Sequence, residues 1–281
     1  MDLLREWAGW RVAGPPYVLA ADRPVIESRR SARAITVRTG WSSVYRAPDF
    51  LEPGDHRLHL GLLPQPFWGD LRRASIYVLM LNPHIGPTDY YAEFEVAAYR
   101  RALIANLRQR FPKSRPPFLF LDPAFSWHGG FAWWHSKLAG VITRLASLWD
   151  IPFAEARHRL AQSLASIELV PYHSPSLRGS GRWLRELPSV KLARAFVHDV
   201  VVRRVRSGEA LLIATRQART WNLPTHRGIV RYNGPQARAA HLSPASSGGQ
   251  AILRHLTGDT WQATSTCRLT TACNRRRQER S

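Results

Sequence analysis

Short apolar runs, each long enough for a buried strand, recur from Ile76 onward and are separated by helical patterns. Each run ends in a polar or proline-containing cluster. Strands that alternate with helices form mostly parallel sheets with helices on both faces. We therefore predict an α/β fold, a three-layer α/β/α domain with a mostly parallel central sheet. The predicted strands are Ile76 to Leu81, Phe118 to Leu121, Ile167 to Val170, Leu211 to Ala214 and, with the weakest pattern, Ala239 to Leu242.

The segment after Thr88 has a helical pattern in which acidic residues come first and basic residues last, the charge order that the helix dipole favours. These charged residues are Asp89, Glu93, Glu95, Arg100, Arg101, Arg108 and Arg110. Further helices are predicted over 133–148, 153–166 and 190–207, and Gly208 is the expected stop of the last helix.

Both ends of the chain differ from this pattern. Residues 1–66 mix Pro and Gly with short extended stretches, among them 34–37 and the alternating 59–62. We predict that they form an appendage, or an edge hairpin, packed on a main domain of residues 67–260. Residues 261–281 are mostly Thr, Ser, Gln and Arg, which predicts a disordered basic tail.

The composition indicates a globular chain with an anionic partner. With 281 residues, 44% hydrophobic content and 11 Trp, the chain can bury a full core. Lys and Arg outnumber Asp and Glu by 40 to 20, and such a surface attracts phosphates, so nucleic acid is the first partner to consider. The alternative is a basic protein from a GC-rich genome, in which Arg codons are abundant. The charge supports binding and says nothing about catalysis.

Cysteine usage and hydropathy point to the cytoplasm. Cys267 and Cys273 are the only two cysteines, too few for a disulfide framework or a four-cysteine cluster. The N-terminal residues lack the pattern of a signal peptide, and no segment approaches the roughly 20 apolar residues of a membrane span. We expect a cytoplasmic monomer with no membrane partner and no metal cluster.

Polar residues that directly follow the predicted strands are site candidates, because ligands of open α/β sheets bind beyond the carboxyl ends of the strands. The set lacks a phosphate-binding Gly-rich loop with Lys, a Gly-x-Ser-x-Gly elbow and a His-Glu-x-x-His zinc site. Amide, imidazole, hydroxyl and guanidinium groups remain, and these suit the recognition of a nucleobase and its phosphates. The candidates are Asn82, Asp122, Tyr172 with His173, Arg216 with Gln217, and His241 with Ser243.

Four segments resemble, in the same order, those of one enzyme family. They are 67–70 through Leu81-Asn82-Pro83, the aromatic stretch 128–134, the strand and turn of 211–218, and the stretch His241 to Ser246. Together they are similar to the uracil-DNA glycosylase superfamily, especially its mismatch-specific and single-strand-selective branches with an Asn-Pro-Gly motif. The last segment resembles the second motif of that family, His-Pro-Ser-Pro-Leu-Ser. The resemblance covers about residues 67 to 256.

This resemblance implies a uracil-DNA glycosylase-like fold and a monofunctional DNA glycosylase. Such an enzyme hydrolyses the N-glycosidic bond of a flipped-out damaged or unusual base, uracil or related, in single- or double-stranded DNA, without a metal or organic cofactor. Asn82 would position the water, and His241 would lie near the leaving base or its flanking phosphate. The implied base-binding residues are His84, Phe125, Trp127, Tyr172 and His173. The implied phosphate-binding residues are Ser243, Ser246, Arg216 and Arg178.

Three departures from the family pattern and several structural readings keep alternatives open. His84 replaces a Gly, which allows a substrate other than uracil, and Ala245 replaces the apolar wedge, which favours single strands or a wedge from another loop. Leu242 replaces the first Pro of the motif, a smaller change.

Asn82-Pro83 is also an ordinary turn, His173 and His241 could be structural, the aromatic stretch could be core, and Asp122 could activate the water instead. The rival functions are a noncatalytic nucleic-acid-binding protein and an enzyme acting on a free nucleoside or nucleotide.

Overall fold

The computed structural model describes residues 2–28, 34–49, 52, 54–177, 182–216, 218–234, 237 and 240–258. Arg178 and Gln217, both candidates for the site, lie outside the described residues, as does the predicted tail of 261–281.

A five-stranded sheet forms the centre of the molecule. The strands of the described residues are β1 (Ile35–Thr36), β2 (Leu58–His59), β3 (Phe67–Trp68), β4 (Ile76–Met80), β5 (Leu164–Glu168), β6 (Leu211–Ala214) and β7 (Ile229–Arg231). The sheet has the order β3-β5-β4-β6-β7, in which only the edge strand β3 is antiparallel to its neighbour. The predicted α/β class with a mostly parallel sheet is confirmed.

β1 and β2 form a separate two-stranded sheet. They are parallel, with Ile35 opposite Leu58. A hairpin requires antiparallel strands, so the hairpin alternative for the N-terminal region is wrong.

Helices cover both faces of the central sheet. Among the described residues the helices are α1 (Leu3–Gly9), α2 (Arg23–Glu27), α3 (Trp41–Tyr45), α4 (Pro87–Glu95), α5 (Ala97–Leu107), α6 (Gly129–Trp149), α7 (Phe153–Ser163), α8 (Pro188–Phe196), α9 (Val202–Arg206), α10 (Ala218–Trp221) and α11 (Ser247–Thr257). A π-helical turn, Val197–Val201, joins α8 to α9, and 3₁₀ turns form at Ala20–Asp22, Leu119–Leu121, Pro123–Phe125 and Arg182–Glu186.

The side chains of β4 contribute alternately to two core layers, because successive side chains of a strand point to opposite faces of the sheet. Tyr77 and Leu79 pack with residues of α1 and α8, whereas Ile76, Val78 and Met80 pack with residues of α5, α6, α7 and α11. All five residues of β4 are buried, which explains its continuous apolar run. N-terminal side chains, including Leu3 and Trp7, belong to the first of these layers.

Two strand predictions are wrong. Leu119–Leu121 is a 3₁₀ turn in which the Leu121 N–H donates to Phe118, and its buried side chains produce the same apolar run that a strand would. In the predicted strand Ala239 to Leu242, the described Ala240 has a positive φ of 47°, which strands do not contain. β7, only three residues long, was not predicted.

Helix boundaries also shift. The helix expected from Thr88 to Arg110 is divided by Val96, which has an extended ψ of 88°. α7 stops at Ser163, so the residues expected to continue it start β5 instead. α6 begins at Gly129 rather than at Trp133. Gly208 has a φ of 83° immediately beyond α9 and its C-cap residue, as expected for a helix stop.

Candidate functional site

The order of the strands creates a crevice at the carboxyl end of β4. The chain passes from β4 to its neighbour β5 on one side, whereas β6, on the other side of β4, continues outward to β7. Ligands of open α/β sheets bind at such a reversal of strand order. Asn82, His173 and Arg216 each follow one of the three central strands, so the fold brings these candidates to one edge.

The side-chain amide of Asn82 is held in a fixed orientation. Its Nδ2 donates to the carbonyl oxygens of Pro83, at 2.9 Å, and of Ser174, at 3.1 Å. The side chain is half-buried. Within the described ranges its Oδ1 accepts no hydrogen bond, so this oxygen is available to accept one from a water molecule.

His173 lies beside Asn82 in the crevice, and its ring contains a hydrogen-bond acceptor that has no partner among the described residues. Its Nδ1 is 2.7 Å from the carbonyl oxygen of His84, which can only accept, so Nδ1 carries the proton of the neutral ring. Nε2 is then an acceptor, and it is buried without a hydrogen-bond partner among the residues that the structure describes. Burial lowers the pKa of His173 to about 3, which keeps the ring neutral.

Glu168, the last residue of β5, is the second buried group at this edge. Burial raises the pKa of its carboxyl to about 8, against the opposing charge of Arg216. Desolvation lowers the pKa of the exposed His84, and Arg216 lowers it further. The Arg216 charge acts on both His84 and Glu168. The Arg216 side chain therefore lies near the ends of β4 and β5 as well as the end of β6.

A group of buried polar side chains lies under α4, next to this edge. The His128 Nδ1 accepts a hydrogen bond from the Gly130 N–H, so the ring proton is on Nε2, 3.6 Å from the Asp89 carboxylate. Tyr99 stacks on the His128 ring at 4.7 Å. Glu93, one turn after Asp89 on α4, accepts from the Leu63 N–H at 2.9 Å. We call these four side chains, Asp89, Glu93, Tyr99 and His128, the buried polar group.

Burial shifts the pKa values of this group strongly. It raises the pKa of Asp89 to about 7 and that of Glu93 to about 8. It lowers the pKa of His128 to about 4. Near neutral pH, His128 is therefore uncharged and Glu93 is largely protonated.

The edge and the buried polar group contain unused hydrogen-bonding capacity. Buried polar atoms in proteins are normally paired. Among the described residues, twelve buried side-chain nitrogen or oxygen atoms meet no partner at hydrogen-bond geometry. Four of them lie in this region: Glu93 Oε1, His128 Nε2, Glu168 Oε2 and His173 Nε2. Gln65 and Tyr99, which are also among the twelve, interact with each other. This concentration of donors and acceptors is what a polar ligand needs.

Three predicted base-binding residues have other surroundings. The Tyr172 hydroxyl donates to Asp22 at 2.6 Å, so the structure ties this side chain to the N-terminal region rather than to the crevice. Phe125 is buried and meets Tyr99 edge-on at 5.6 Å. Trp127 is 42% exposed, and its ring contacts Tyr99 at 6.3 Å and His128 at 5.6 Å, two members of the buried polar group.

The segment 241–246 lies at the carboxyl end of β7. Tyr232, which follows β7, donates its hydroxyl hydrogen to the His241 carbonyl oxygen. The Ser246 Oγ caps α11 by accepting from the Gly249 N–H at 3.0 Å. A Cβ on Gly249 would lie 1.9 Å from the Ser243 carbonyl oxygen, so only glycine fits there.

The side chains of His241 and Ser243 are exposed. In the described part of the chain, the His241 imidazole forms no hydrogen bond or ion pair, and the structure does not link it to Asn82.

Four of the buried residues at this region were not singled out as site candidates. Asp89 and Glu93 were interpreted as helix-dipole charges, although their spacing of four residues places them on one helix face. His128 was noted only within the aromatic stretch, and Glu168 lies inside a predicted apolar strand. For Asp89 and Glu93, the spacing of four residues could have indicated a shared helix face. The burial of His128 and Glu168 is determined by tertiary packing, so the local sequence does not reveal it.

Two surface depressions lie elsewhere. One of about 460 Å³ is formed by the end of α6 and the start of α7, and one of about 260 Å³ lies between α5 and residues 110–122. Within the described residues, no helix is both long and apolar enough to cross a membrane. No three His, Cys, Asp or Glu side chains of the described chain converge where they could hold a metal ion.

Comparison with models of known protein families, with curated proteins and with solved structures found no significant match to this chain.

Proposed function

We propose that the protein is a DNA glycosylase that hydrolyses the N-glycosidic bond of a flipped-out damaged or unusual base, uracil or a related base. The observation that carries the proposal is the pairing of Asn82, whose amide nitrogen is held by two carbonyls, with the buried acceptor of His173 at the reversal of strand order. A water-orienting group and a base-reading group thereby share one edge.

In this reaction the water oxygen forms a bond to C1′ of the sugar, and the bond from C1′ to the base nitrogen breaks with its electron pair on the base. The sugar passes through an oxocarbenium-like state. The Asn82 Oδ1 accepts one hydrogen bond from the water and directs its lone pair at C1′. An amide is not a base, so Asn82 contributes orientation, and after the new bond forms the water proton passes through solvent to the departing base anion.

Base recognition follows from the protonation states. Neutral His173 offers an acceptor at Nε2, and Glu168, whose pKa is raised to about 8, offers a donor near neutral pH. An acceptor and a donor together suit a base with an N–H group beside a carbonyl, the arrangement found in uracil. A protonated Glu168 would also stabilise charge that develops on the carbonyl oxygen as the base leaves.

The overall charge supports DNA as the partner. The formal net charge is +20, and neutralised phosphates release counterions when such a surface binds DNA. Arg216 is exposed just beyond the end of β6, and Ser243 is exposed before α11, so both are accessible to phosphates.

The test is base release from oligonucleotides that contain uracil, hypoxanthine, xanthine or a mismatched thymine, single-stranded and paired. We expect abasic product from at least one substrate, and loss of that product in Asn82→Ala. Leu148→Ala, an exposed residue near the end of α6, is the matched control and should retain activity.

Two outcomes would overturn the proposal. Salt-sensitive binding with no abasic product from any substrate would indicate a noncatalytic nucleic-acid-binding protein. Cleavage of free nucleosides with little salt dependence, and none of oligonucleotides, would indicate a small-molecule hydrolase.

A further inference from the structure

A row of aromatic side chains lies on the surface beside α4. Trp41 contacts Tyr45 at 5.3 Å and Tyr91 at 5.9 Å between ring centroids, and Tyr91 contacts Trp127 at 6.0 Å. We call these four residues the aromatic ladder. Tyr45, Tyr91 and Trp127 are 41%, 43% and 42% exposed, and every exposed Phe, Tyr or Trp side chain of the described residues belongs to this ladder.

Buried side chains and a hydrogen bond hold the ladder in position. Trp41 packs on a small buried cluster of Val44, Leu62, Ile85 and Tyr90, which joins α3 to α4. The Gly129 N–H donates to the Thr88 hydroxyl at 3.1 Å, which ties the segment that carries Trp127 to the start of α4. The rings are therefore fixed in place while their outer faces remain in water, an arrangement that core packing does not require.

Arginine side chains lie at one end of the ladder and beyond the other end. The Arg46 guanidinium lies over the Tyr45 ring, 5.4 Å from its centroid. Beyond Trp127, two buried rings, Tyr99 and Phe125, separate the ladder from Arg115, which lies over the Phe125 ring at 5.4 Å and 3.9 Å from the Asp122 carboxylate. The depression of about 260 Å³ begins there, and its lining includes three arginines, Arg101, Arg110 and Arg115, but only one acidic residue, Asp122.

Aromatic platforms with flanking cations are the means by which proteins bind single-stranded nucleic acid: bases stack on the rings, and arginines contact the phosphates. A duplex cannot use such a platform, because its base faces are already stacked. We propose that the aromatic ladder binds a single-stranded segment of nucleic acid, with bases stacked on Tyr91 and Trp127 and phosphates directed to the arginines at one end and beyond the other.

The position of the ladder connects it to the crevice. α4 begins at Pro87, five residues after Asn82, and Tyr91 lies one turn into it. The inference rests on the proposed function in taking DNA as the nucleic acid. It adds that the bound DNA is single-stranded. Stacking on the ladder requires no base release, so the two proposals can fail separately.

The experiment measures binding of the full chain to fluorescently labelled oligonucleotides that contain only ordinary DNA bases, single-stranded and as the matched duplex. Trp127→Ala and Tyr91→Ala should each weaken single-strand binding by about fivefold or more, because loss of one base-stacking ring has an effect of at least that size. Duplex binding should change by less than about twofold. Trp127→Phe and Tyr91→Phe keep a stacking ring and should bind within about threefold of wild type.

Leu148→Ala removes an exposed apolar side chain outside the ladder and should bind both oligonucleotides as wild type does. Wild-type affinity of Trp127→Ala and Tyr91→Ala for the single strand would overturn the inference. Equal losses for single strand and duplex, or equal losses in the Phe and Ala variants, would also overturn it. Because these oligonucleotides offer no damaged base for excision, failure of the glycosylase proposal would leave these results unchanged.

Discussion

Buried polar groups in two regions of the molecule, the contact with the N-terminal residues and the crevice, differ in their hydrogen bonding. On the N-terminal side, both carboxylate oxygens of Asp22 are paired, one with the Ser189 N–H at 2.8 Å and one with the Tyr172 hydroxyl at 2.6 Å. At the crevice, the neighbouring His173 has an unpaired Nε2, and Glu168 has an unpaired oxygen. A paired group stabilises the fold, whereas an unpaired buried group costs stability unless a ligand or water satisfies it. Trp7 Nε1 and Trp221 Nε1, in the core layer of the N-terminal side chains, also have no partner among the described residues, so an unpaired atom marks a site only where polar side chains also gather at the strand ends.

The largest expected effect tests this comparison at Asn82. Asn82→Ala should reduce base release by about 100-fold or more, because a poorly positioned water loses its alignment with C1′. The rate of abasic-site formation under single-turnover conditions measures this effect. Leu148→Ala should react at the wild-type rate. An Asn82→Ala variant that remains folded and reacts at the wild-type rate would exclude Asn82 from the chemistry.

Tyr172→Phe probes the other side of the comparison. The change leaves Asp22 and the Leu19 N–H without their shared partner, so we expect the free energy of unfolding to fall by about 2 kcal/mol. Urea denaturation measures it. Base release by the folded variant should be unchanged within about twofold, since this hydroxyl is tied to the N-terminal region. A large loss of activity at unchanged stability would move Tyr172 back to the base-binding residues.

The pH dependence of stability should reveal the buried carboxyls. Glu93 and Glu168 have a pKa raised to about 8 in the folded chain, so the folded state binds more protons than the unfolded state up to that pH. Histidines whose pKa burial lowers, among them His59, His128 and His173, bind protons only in the unfolded state and oppose this effect until the pH is about one unit above their ordinary pKa of 6.5.

The free energy of unfolding should therefore fall as the pH rises from about 7.5 through about 8, by at most about 1.4 kcal/mol per pH unit for each carboxyl. Glu168→Gln should make this slope shallower in urea titrations at several pH values. The same slope in wild type and Glu168→Gln would contradict the assignment for this residue.

The smallest effect separates two serines of the predicted second motif. Ser246→Ala removes the N-cap of α11 and should lower the free energy of unfolding by about 1 kcal/mol. Ser243→Ala removes an exposed hydroxyl and should change it by less than about 0.5 kcal/mol. Thermal melts of both variants make the comparison. An equal loss of stability would show that Ser243 also has a structural role.

The sequence predicted the centre of the fold better than its connections. β4 and β6 are buried on both faces, so their apolar runs are continuous and easy to recognise. Leu119–Leu121 is equally apolar because its turn is buried. The spacing of apolar residues alone does not distinguish a buried strand from a buried turn. β7 has only three residues, two of them half-buried, and gives almost no pattern.

The site was predictable only where position along a strand determines it. Asn82, His173 and Arg216 follow strand ends, and the general rule for parallel sheets located them. Trp127 was expected to bind the nucleobase, but its exposure depends on how the segment before α6 packs against α4. The roles of His128 and Glu168 depend on burial, which no local pattern reports.

The contact between Asp22 and Ser189 joins residues 167 positions apart in the chain. Closing so long a loop costs conformational entropy before any contact compensates for it, and structures rich in distant contacts fold slowly. During synthesis, Leu3, Leu4 and Trp7 leave the ribosome long before α8, which packs over them. α1, which is made long before α8, is therefore among the last helices to pack, and its apolar side chains remain exposed to chaperones or to aggregation until then.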